Sequence, residues 1–420
     1  MARVLLACWG SYGDLFPSIA IADRLRARGH TPVVASCPYY RDLVEREGLA
    51  FMALRPDVVP DDGALIARLM DPKRGTEVIL REMLVPAIRQ SLADLESAAE
   101  GADLIVSHPV TLAAPLVARR RGLPWLSTVL APMSFFSAHD FPALPNAPQA
   151  VALRRLGPWT GRALMAIARR ITASWTAPVV ALGAELGLAP AGDPLYEGQF
   201  SPFGTLALFS PALGAPQVDW PARTTVTGFP FYNRAIAMPP AVAAFLDAGD
   251  PPVVFTLGSS AVFAPGRFYE ASVEAARALG LRALLLAGPR PANLPASLPP
   301  GVLVAESAPH DQVFPRARVV VHQGGVGTTG QAMRSGRPQL VVPHAHDQFD
   351  NAFRVRQRGI ARTIYAWRYS AATATAALRA LITEPRWTEG AAGVARQVAT
   401  DGGAEAAAGA IVAALPGAGR

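Results

Sequence analysis

Cysteine, lysine and charge are all scarce in this chain of 420 residues. Its two cysteines, Cys8 and Cys37, lie in or beside apolar strand-like runs and lack zinc-type spacing. That excludes a disulfide framework or a thiolate metal site and leaves two buried thiols, the state expected in a reducing compartment. Charged residues amount to 17% against 51% hydrophobic, which excludes a disordered chain. No Asp-x-Asp occurs, so the carboxylate pair that commonly holds a divalent ion is missing, and no metal or other cofactor is expected. The longest uncharged stretches, near 122–139 and 198–218, are broken by proline and glycine and read as no membrane span. The opening run MARVLLACWG is too short for a signal-peptide core, so a cytoplasmic protein without stable membrane insertion is expected. The net charge of +7 and pI near 9.9 come from arginine, which far outnumbers lysine. Dense basic runs interleaved with aromatics are absent, so nucleic acid is not the expected partner. The basicity would still favour an anionic ligand.

What is present is alternation. Val4–Cys8 is strand-like and Ser18–Arg28 has helical periodicity closed by Gly29; Thr31–Ser36 and a charged helix ending at Gly48 follow. The rhythm returns at Asp103–Ser107, Leu112–Arg121 and Trp125–Val129, and again at Val253–Leu257, Arg267–Leu279, Ala283–Ala287 and Val302–Ala305. Apolar runs alternating with helices predict an α/β protein with parallel sheets covered on both faces. Residues 130–160 break the rhythm with prolines and aromatics, as a long functional loop does. The expected division is a first domain over 1–215, a proline-rich linker over 216–240, a second domain over 241–385, and terminal helices over 386–420 that pack back on the first domain.

Residues Val319–Asn351, VVVHQGGVGTTGQAMRSGRPQLVVPHAHDQFDN, carry the clearest chemistry. A β-branched run delivers His322 to a turn made by Gly324, Gly325 and Gly327; Thr328 opens a short helix; a second strand ends at Pro343 and releases His344, His346, Asp347 and Gln348. Glycines let backbone approach a diphosphate, and a helix N-terminus aims N–H groups at it. The turn Gly258-Ser259-Ser260, after another strand, is a second anion-friendly site. His344 and His346 have poor spacing for zinc. Asp14, in Gly13-Asp14-Leu15-Phe16-Pro17, follows the first strand, where open α/β sheets place ligands; a plain helix cap is the competing reading. His108 closes another strand, as a partner for Asp14 or as a pocket-lining residue.

Taken together, these pieces resemble the donor signature of glycosyltransferase family 1, sharply over 306–352 and loosely over 4–36. The resemblance implies the GT-B architecture, two Rossmann-like domains facing across a cleft. It implies an inverting, metal-independent transfer of sugar from a UDP- or dTDP-sugar to a hydroxyl of a lipophilic small molecule. It casts Asp14 as general base with His108 as a possible partner. Donor contacts would come from Ser259, Ser260, Ala308, His310, His322, Gly324, Gly325, Gly327, Thr328, Asp347 and Gln348. Of these, His322 and the glycines would hold phosphate while Asp347 and Gln348 hold the sugar. Burial is expected to raise the pKa of Asp14 and so help it as a base. Acceptor-side candidates are Tyr12, Phe16, Met133, Phe136 and His139; for His139-Asp140 plain loop polarity is the competing reading.

Two departures concern the nucleoside. Where plant members stack a tryptophan on the base, this chain has Ser307 in Ser307-Ala308-Pro309-His310. Where many members hold both ribose hydroxyls with a glutamate, it has Gly330, which would suit a deoxyribose donor; sterol glucosyltransferases also lack that glutamate and use UDP-glucose. Competing readings are a catalytically silent GT-B partner protein and a GT-B epimerase. A Rossmann oxidoreductase is disfavoured because neither half has Gly-x-Gly-x-x-Gly after its first strand. A monomer or weak dimer is expected.

Overall fold

The computed structural model describes residues 1–58, 62–232, 237–289, 291, 293–295 and 297–417. Thirteen named strands form two separate sheets, all of whose pairings are parallel. The first holds β1 (Arg3–Ala7), β2 (Thr31–Ser36), β3 (Ala50–Ala53), β4 (Leu104–Ser107), β5 (Trp125–Val129), β6 (Thr205–Ala207) and β7 (Thr224–Val226), in the order β3-β2-β1-β4-β5-β6-β7. The second holds β8 (Val253–Thr256), β9 (Ala283–Leu286), β10 (Val302–Ala305), β11 (Val319–His322), β12 (Gln339–Val341) and β13 (Ala361–Thr363), in the order β10-β9-β8-β11-β12-β13. Strands such as Val319-Val320-Val321 are fully buried because helices cover both faces, which is why they read as continuous apolar runs. Each sheet runs outward both ways from its first strand. The crevices where strand order reverses therefore lie between β1 and β4 and between β8 and β11.

Two expectations need correction here. The first helix spans Tyr12–Ala27, starting six residues before Ser18. Ser11 caps it, and Pro17 sits inside it instead of opening it. The expected linker over 216–240 is no free connection: β7 lies within it and extends the first sheet, while residues 233–236 lie outside the described ones. Its Trp220 stacks on Phe135 with ring centroids 3.9 Å apart. Phe135, Trp220 and Phe229 join Met333, Val355 and Val394 in one apolar cluster, so the proline-rich passage seals a seam between the two halves.

The terminal helix Gly403–Ala413 lies on the first helix, with Arg28 paired to Glu405 at 2.5 Å. Among the described residues no helix is long and apolar enough to cross a membrane.

Candidate active site

The β1–β4 crevice holds a pair of ionisable side chains. The backbone turns at Gly10 with φ +140°, and Ser11 caps the helix whose third residue is Asp14. This is a capping box: Ser11 Oγ accepts from the Gly13 N–H at 3.2 Å, and the Asp14 carboxylate accepts from the Ser11 N–H at 2.7 Å and its hydroxyl at 3.1 Å. A Cβ on residue 10 would lie 2.2 Å from Asp14 Oδ2, so only glycine lets the carboxylate fold back there. Opposite, the His108 N–H donates to the Ala7 carbonyl at 2.9 Å, fixing the residue at the end of β4. His108 Nδ1 accepts from the Val110 N–H at 3.4 Å, and Nε2 faces Asp14 Oδ1 at 3.3 Å. The cap reading and the catalytic reading of Asp14 are thus compatible, since one carboxylate can serve both. The Asp14 side chain keeps 32% exposure against 9% for His108, so the carboxylate is the member a ligand can reach.

The expectation that burial raises the Asp14 pKa is overturned. Burial does act in that direction, but the hydrogen bond and charge of His108 and the two Ser11 donors outweigh it and hold the carboxyl below its ordinary value. Tyr12 and Phe16 flank Asp14 on the same helix in an aromatic rim: Tyr12 lies 5.3 Å from Phe16 and 5.1 Å from Tyr40, and Phe16 lies 5.2 Å from Tyr232, ring centroid to centroid. The other acceptor-side candidates are not brought to Asp14 by any contact among the described residues. Met133 lies in the 3₁₀ turn Pro132–Phe135, Phe136 packs on Tyr196 at 4.9 Å, and His139 is exposed.

The β8–β11 crevice is armed differently. His322 is completely buried; Nδ1 accepts from the Gly324 N–H at 3.1 Å and Nε2 donates to Gln339 Oε1 at 3.0 Å. Burial pushes its pKa down to about 4, so the ring is neutral. The expected phosphate contact by His322 is therefore corrected: no polar atom of the ring is left for a ligand, and the ring braces the turn against β12. Gln323, the next residue, is buried. Its carboxamide lies between the turn after β8 and the glycine turn. A Cβ on residue 258 would sit 2.1 Å from Gln323 Nε2, and one on residue 325 would sit 2.9 Å away. Gln323 Oε1 is buried without a partner.

Gly324 turns with φ +93°, and a Cβ there would meet Val341 Cγ1 at 2.8 Å and the Gln348 carbonyl at 3.0 Å. Gly327 faces open space and Thr328 is half-buried in the helix Val326–Arg334, whose N-cap, Gly325, has no side-chain hydrogen bond. Ser259 and Ser260 lie half-buried in the facing turn.

Asp347 and Gln348 open the helix Gln348–Gln357 beside this turn. Asp347 accepts from Asn351 Nδ2 at 2.8 Å and from the Val326 N–H; Asn351 Nδ2 also donates to the Gly324 carbonyl at 2.9 Å. Burial pushes the Asp347 pKa up to about 7, with smaller contributions from the charges of Asp14 and Asp350. Asp14 also acts on His346, whose Nδ1 lies 3.3 Å from Thr76 Oγ1. Asp14 thus lies near Asp347 and His346, and the two crevices face one another. Gln348 Oε1 accepts from the His344 and Ala345 N–H groups at 2.8 and 3.1 Å, so the amide nitrogen is the other polar atom of this side chain.

Farther along the helix a buried ion network ties the halves together. Arg354 reaches Asp350 at 2.6 Å and Asp140 at 2.7 Å, Arg154 reaches Asp140 at 2.5 Å, and Asp350 also accepts from the Ala143 N–H at 3.0 Å. Plain loop polarity thus fails for Asp140. After β10 Ala308 is buried, and the His310 ring stacks on Phe314 at 4.3 Å with its pKa pushed down to about 4, by burial and by the neighbouring His322. Gly330 is a packing requirement: a Cβ there would meet the Phe229 ring at 2.9 Å. Among the described residues no three His, Cys, Asp or Glu side chains converge as metal ligands.

A family model described as "Erythromycin biosynthesis protein CIII-like, C-terminal domain" matches residues 284–413. The chain is 34% identical over 419 residues to O-mycaminosyltylonolide 6-deoxyallosyltransferase of Streptomyces fradiae, covering 96% of this chain and 95% of that one. Among solved structures, the glycosyltransferase of kitacinnamycin superposes with a TM-score of 0.72 at 24% identity, covering 99% of both chains. The glycosyltransferase VinC, in complex with dTDP, does so with a TM-score of 0.68 at 20% identity, covering 98% of this chain and 99% of that one. The architecture they share with this chain is GT-B.

Proposed function

The chain belongs to glycosyltransferase family 1, and from that premise we propose that it transfers a 6-deoxyhexose from a dTDP-sugar to a hydroxyl of a lipophilic natural product, inverting the anomeric carbon without a divalent ion. The observation that carries the reading is the placement of the Asp14–His108 pair opposite Asp347 and the glycine turn. The acceptor hydroxyl sits against Asp14, and its oxygen attacks the anomeric carbon as the bond to the diphosphate breaks and the electron pair leaves with dTDP. The hydroxyl proton passes to Asp14. A carboxyl held below its ordinary pKa is a weak base towards a neutral alcohol, so the transfer comes late, when the new C–O bond has made the hydroxyl acidic. His108 acts through Asp14, fixing the carboxylate and stabilising its charge. Buried and with both ring nitrogens engaged, it does not receive the proton itself.

The leaving diphosphate is stabilised by donors: the N–H groups of the glycine turn, the positive end of the following helix and the Gln323 amide. Asp347 and the Gln348 amide orient the sugar hydroxyls. Gly330 supports the choice of a deoxyribose nucleoside. Phe229 fills the space that a ribose-binding carboxylate would need, which suits a nucleoside with no 2′-hydroxyl. The dTDP complex of VinC and the 6-deoxyallosyl specificity in the Streptomyces relative's name support the same choice. The test is calorimetric titration with dTDP and UDP, followed by mass spectrometry of dTDP- and UDP-sugars with a panel of macrolides, sterols and hydroxy-fatty acids, with and without EDTA. The reading predicts tighter dTDP, product with a 6-deoxyhexose donor, and no effect of EDTA. Tighter UDP overturns the donor, and metal-rescued loss in EDTA overturns the metal-free step.

A further inference from the structure

Between Asp140 and Glu185 the sequence has no acidic residue, and it has five arginines: Arg154, Arg155, Arg162, Arg169 and Arg170. This acid-free stretch holds a 3₁₀ turn, Pro148–Leu156, and the long helix Pro158–Glu185. Arg154 is committed to the interdomain network and Arg169 to Glu197. The side chains of Arg155, Arg162 and Arg170 are exposed and make no ion pair or hydrogen bond among the described residues. Beside them stand Leu156, Trp159, Ile167 and Ile171, each 58–62% exposed. From 162 to 175 the helix has no fully buried residue, and Thr160, Gly161, Thr176, Val179 and Leu182 face the body of the protein. At 100° per residue, Trp159, Ile167, Arg170 and Ile171 fall on one arc, across from the buried Gly161, Thr176 and Val179. A soluble surface seldom leaves so much aliphatic and indole area in water, and this one carries positive charge with no acid to neutralise it.

We propose that this face, from Leu156 to Ile171, binds the surface of an anionic lipid bilayer. The chemistry fits that occupant on two counts. Unpaired arginines are attracted to anionic headgroups, and an indole with isoleucines beside it is suited to the headgroup–acyl boundary. A second copy of this chain fits poorly, since a two-fold contact would set arginines against arginines with no acid between them. The helix is not apolar enough to span, so it lies on the bilayer. The loop 130–157 leads directly into it, so docking would bring the first domain's side of the cleft to the bilayer, where a lipophilic acceptor concentrates. That benefit rests on the acceptor class proposed above, whereas the binding itself does not.

The experiment is co-sedimentation of the full-length protein with vesicles of phosphatidylcholine, pure or with about one third phosphatidylglycerol, without substrate. The expected result is binding to the anionic vesicles only, weakened by salt and by about fivefold for each of Arg155→Gln, Arg162→Gln and Arg170→Gln. Trp159→Ser and Ile167→Ser should weaken it at high salt as well as low. As a control for net charge, Arg277→Gln, Arg356→Gln and Arg379→Gln on the second domain should leave it within twofold. A loss in the second-domain variants equal to that in the first-domain ones overturns the assignment to this face. Failure to bind anionic vesicles overturns the lipid occupant. A dimer in sedimentation velocity that Trp159→Ser dissolves would assign the face to a second copy instead. Lipid binding without any glycosyl transfer would uphold this proposal while sinking the preceding one.

Discussion

The two crevices share a strand order and differ in almost everything else. At β1–β4 the sequence places a carboxylate and an imidazole 3.3 Å apart, held by a capping box and a glycine turn. At β8–β11 it places glycines, a neutral histidine with both nitrogens used and a primary amide. On the reading proposed above, the difference follows what each site would hold. A neutral hydroxyl needs a protein group that takes its proton. A diphosphate brings its own negative charge, so its site needs donors, and a fixed carboxylate pointing at it would repel. Asp347 is an acid beside the glycine turn, and burial there pushes its pKa up to about 7.

The largest effect should come from removing the charge at the first crevice. Asp14→Asn is expected to lower kcat by about 10²–10⁴-fold while calorimetry finds donor affinity unchanged. Near-normal turnover would dissolve the contrast. Next, His108→Gln should lower kcat by roughly ten- to a hundredfold through misplacement of the carboxylate. It should also move the acid limb of the pH profile upward, because Asp14 loses the partner that holds its pKa low. A limb that stays put would make His108 a lining residue only. At the second crevice, Gln323→Ala should raise the donor KM about tenfold with a smaller change in kcat, the loss of one hydrogen bond to a charged group. If KM stays put, the amide is structural.

The smallest effect is a pH dependence. Asp347 is raised, so it is neutral below about pH 7 and charged above, and its carboxylate is the better acceptor for sugar hydroxyls. Donor kcat/KM should therefore rise a few-fold as pH passes through about 7, and the step should vanish in Asp347→Asn. Folding stability runs the opposite way. A carboxyl raised in the native state favours the fold at low pH and loses that contribution between the ordinary aspartate range and about pH 7.

Much of the architecture was legible because parallel strands buried on both faces announce themselves as unbroken apolar runs. The three-residue strands β6 and β7 were not, since their partners, not their own residues, make them strands. Pro17 hid the true start of the first helix, where Ser11 was the available signal. At the site, Asp14 and His108 could be found singly but not as a pair, because 94 residues separate positions that only the β1–β4 pairing joins. His322 was misassigned for a related reason. Which way its ring turns is decided by Gln339, on the neighbouring strand. Gly330 could be read as a missing carboxylate, yet the Phe229 that excludes it lies in a segment that looked like linker.

The buried network of Asp140, Arg154, Asp350 and Arg354 sets a rule for recombining this protein with its relatives. Exchanging the 130–160 loop alone would strand Asp350 and Arg354 without their partners, at a cost of about 3–5 kcal/mol for a broken buried pair. Exchanging whole first domains makes the same cut. A chimera that is to inherit a new acceptor range should carry the loop and the helix Gln348–Gln357 from one parent, as a single cassette that crosses the domain boundary.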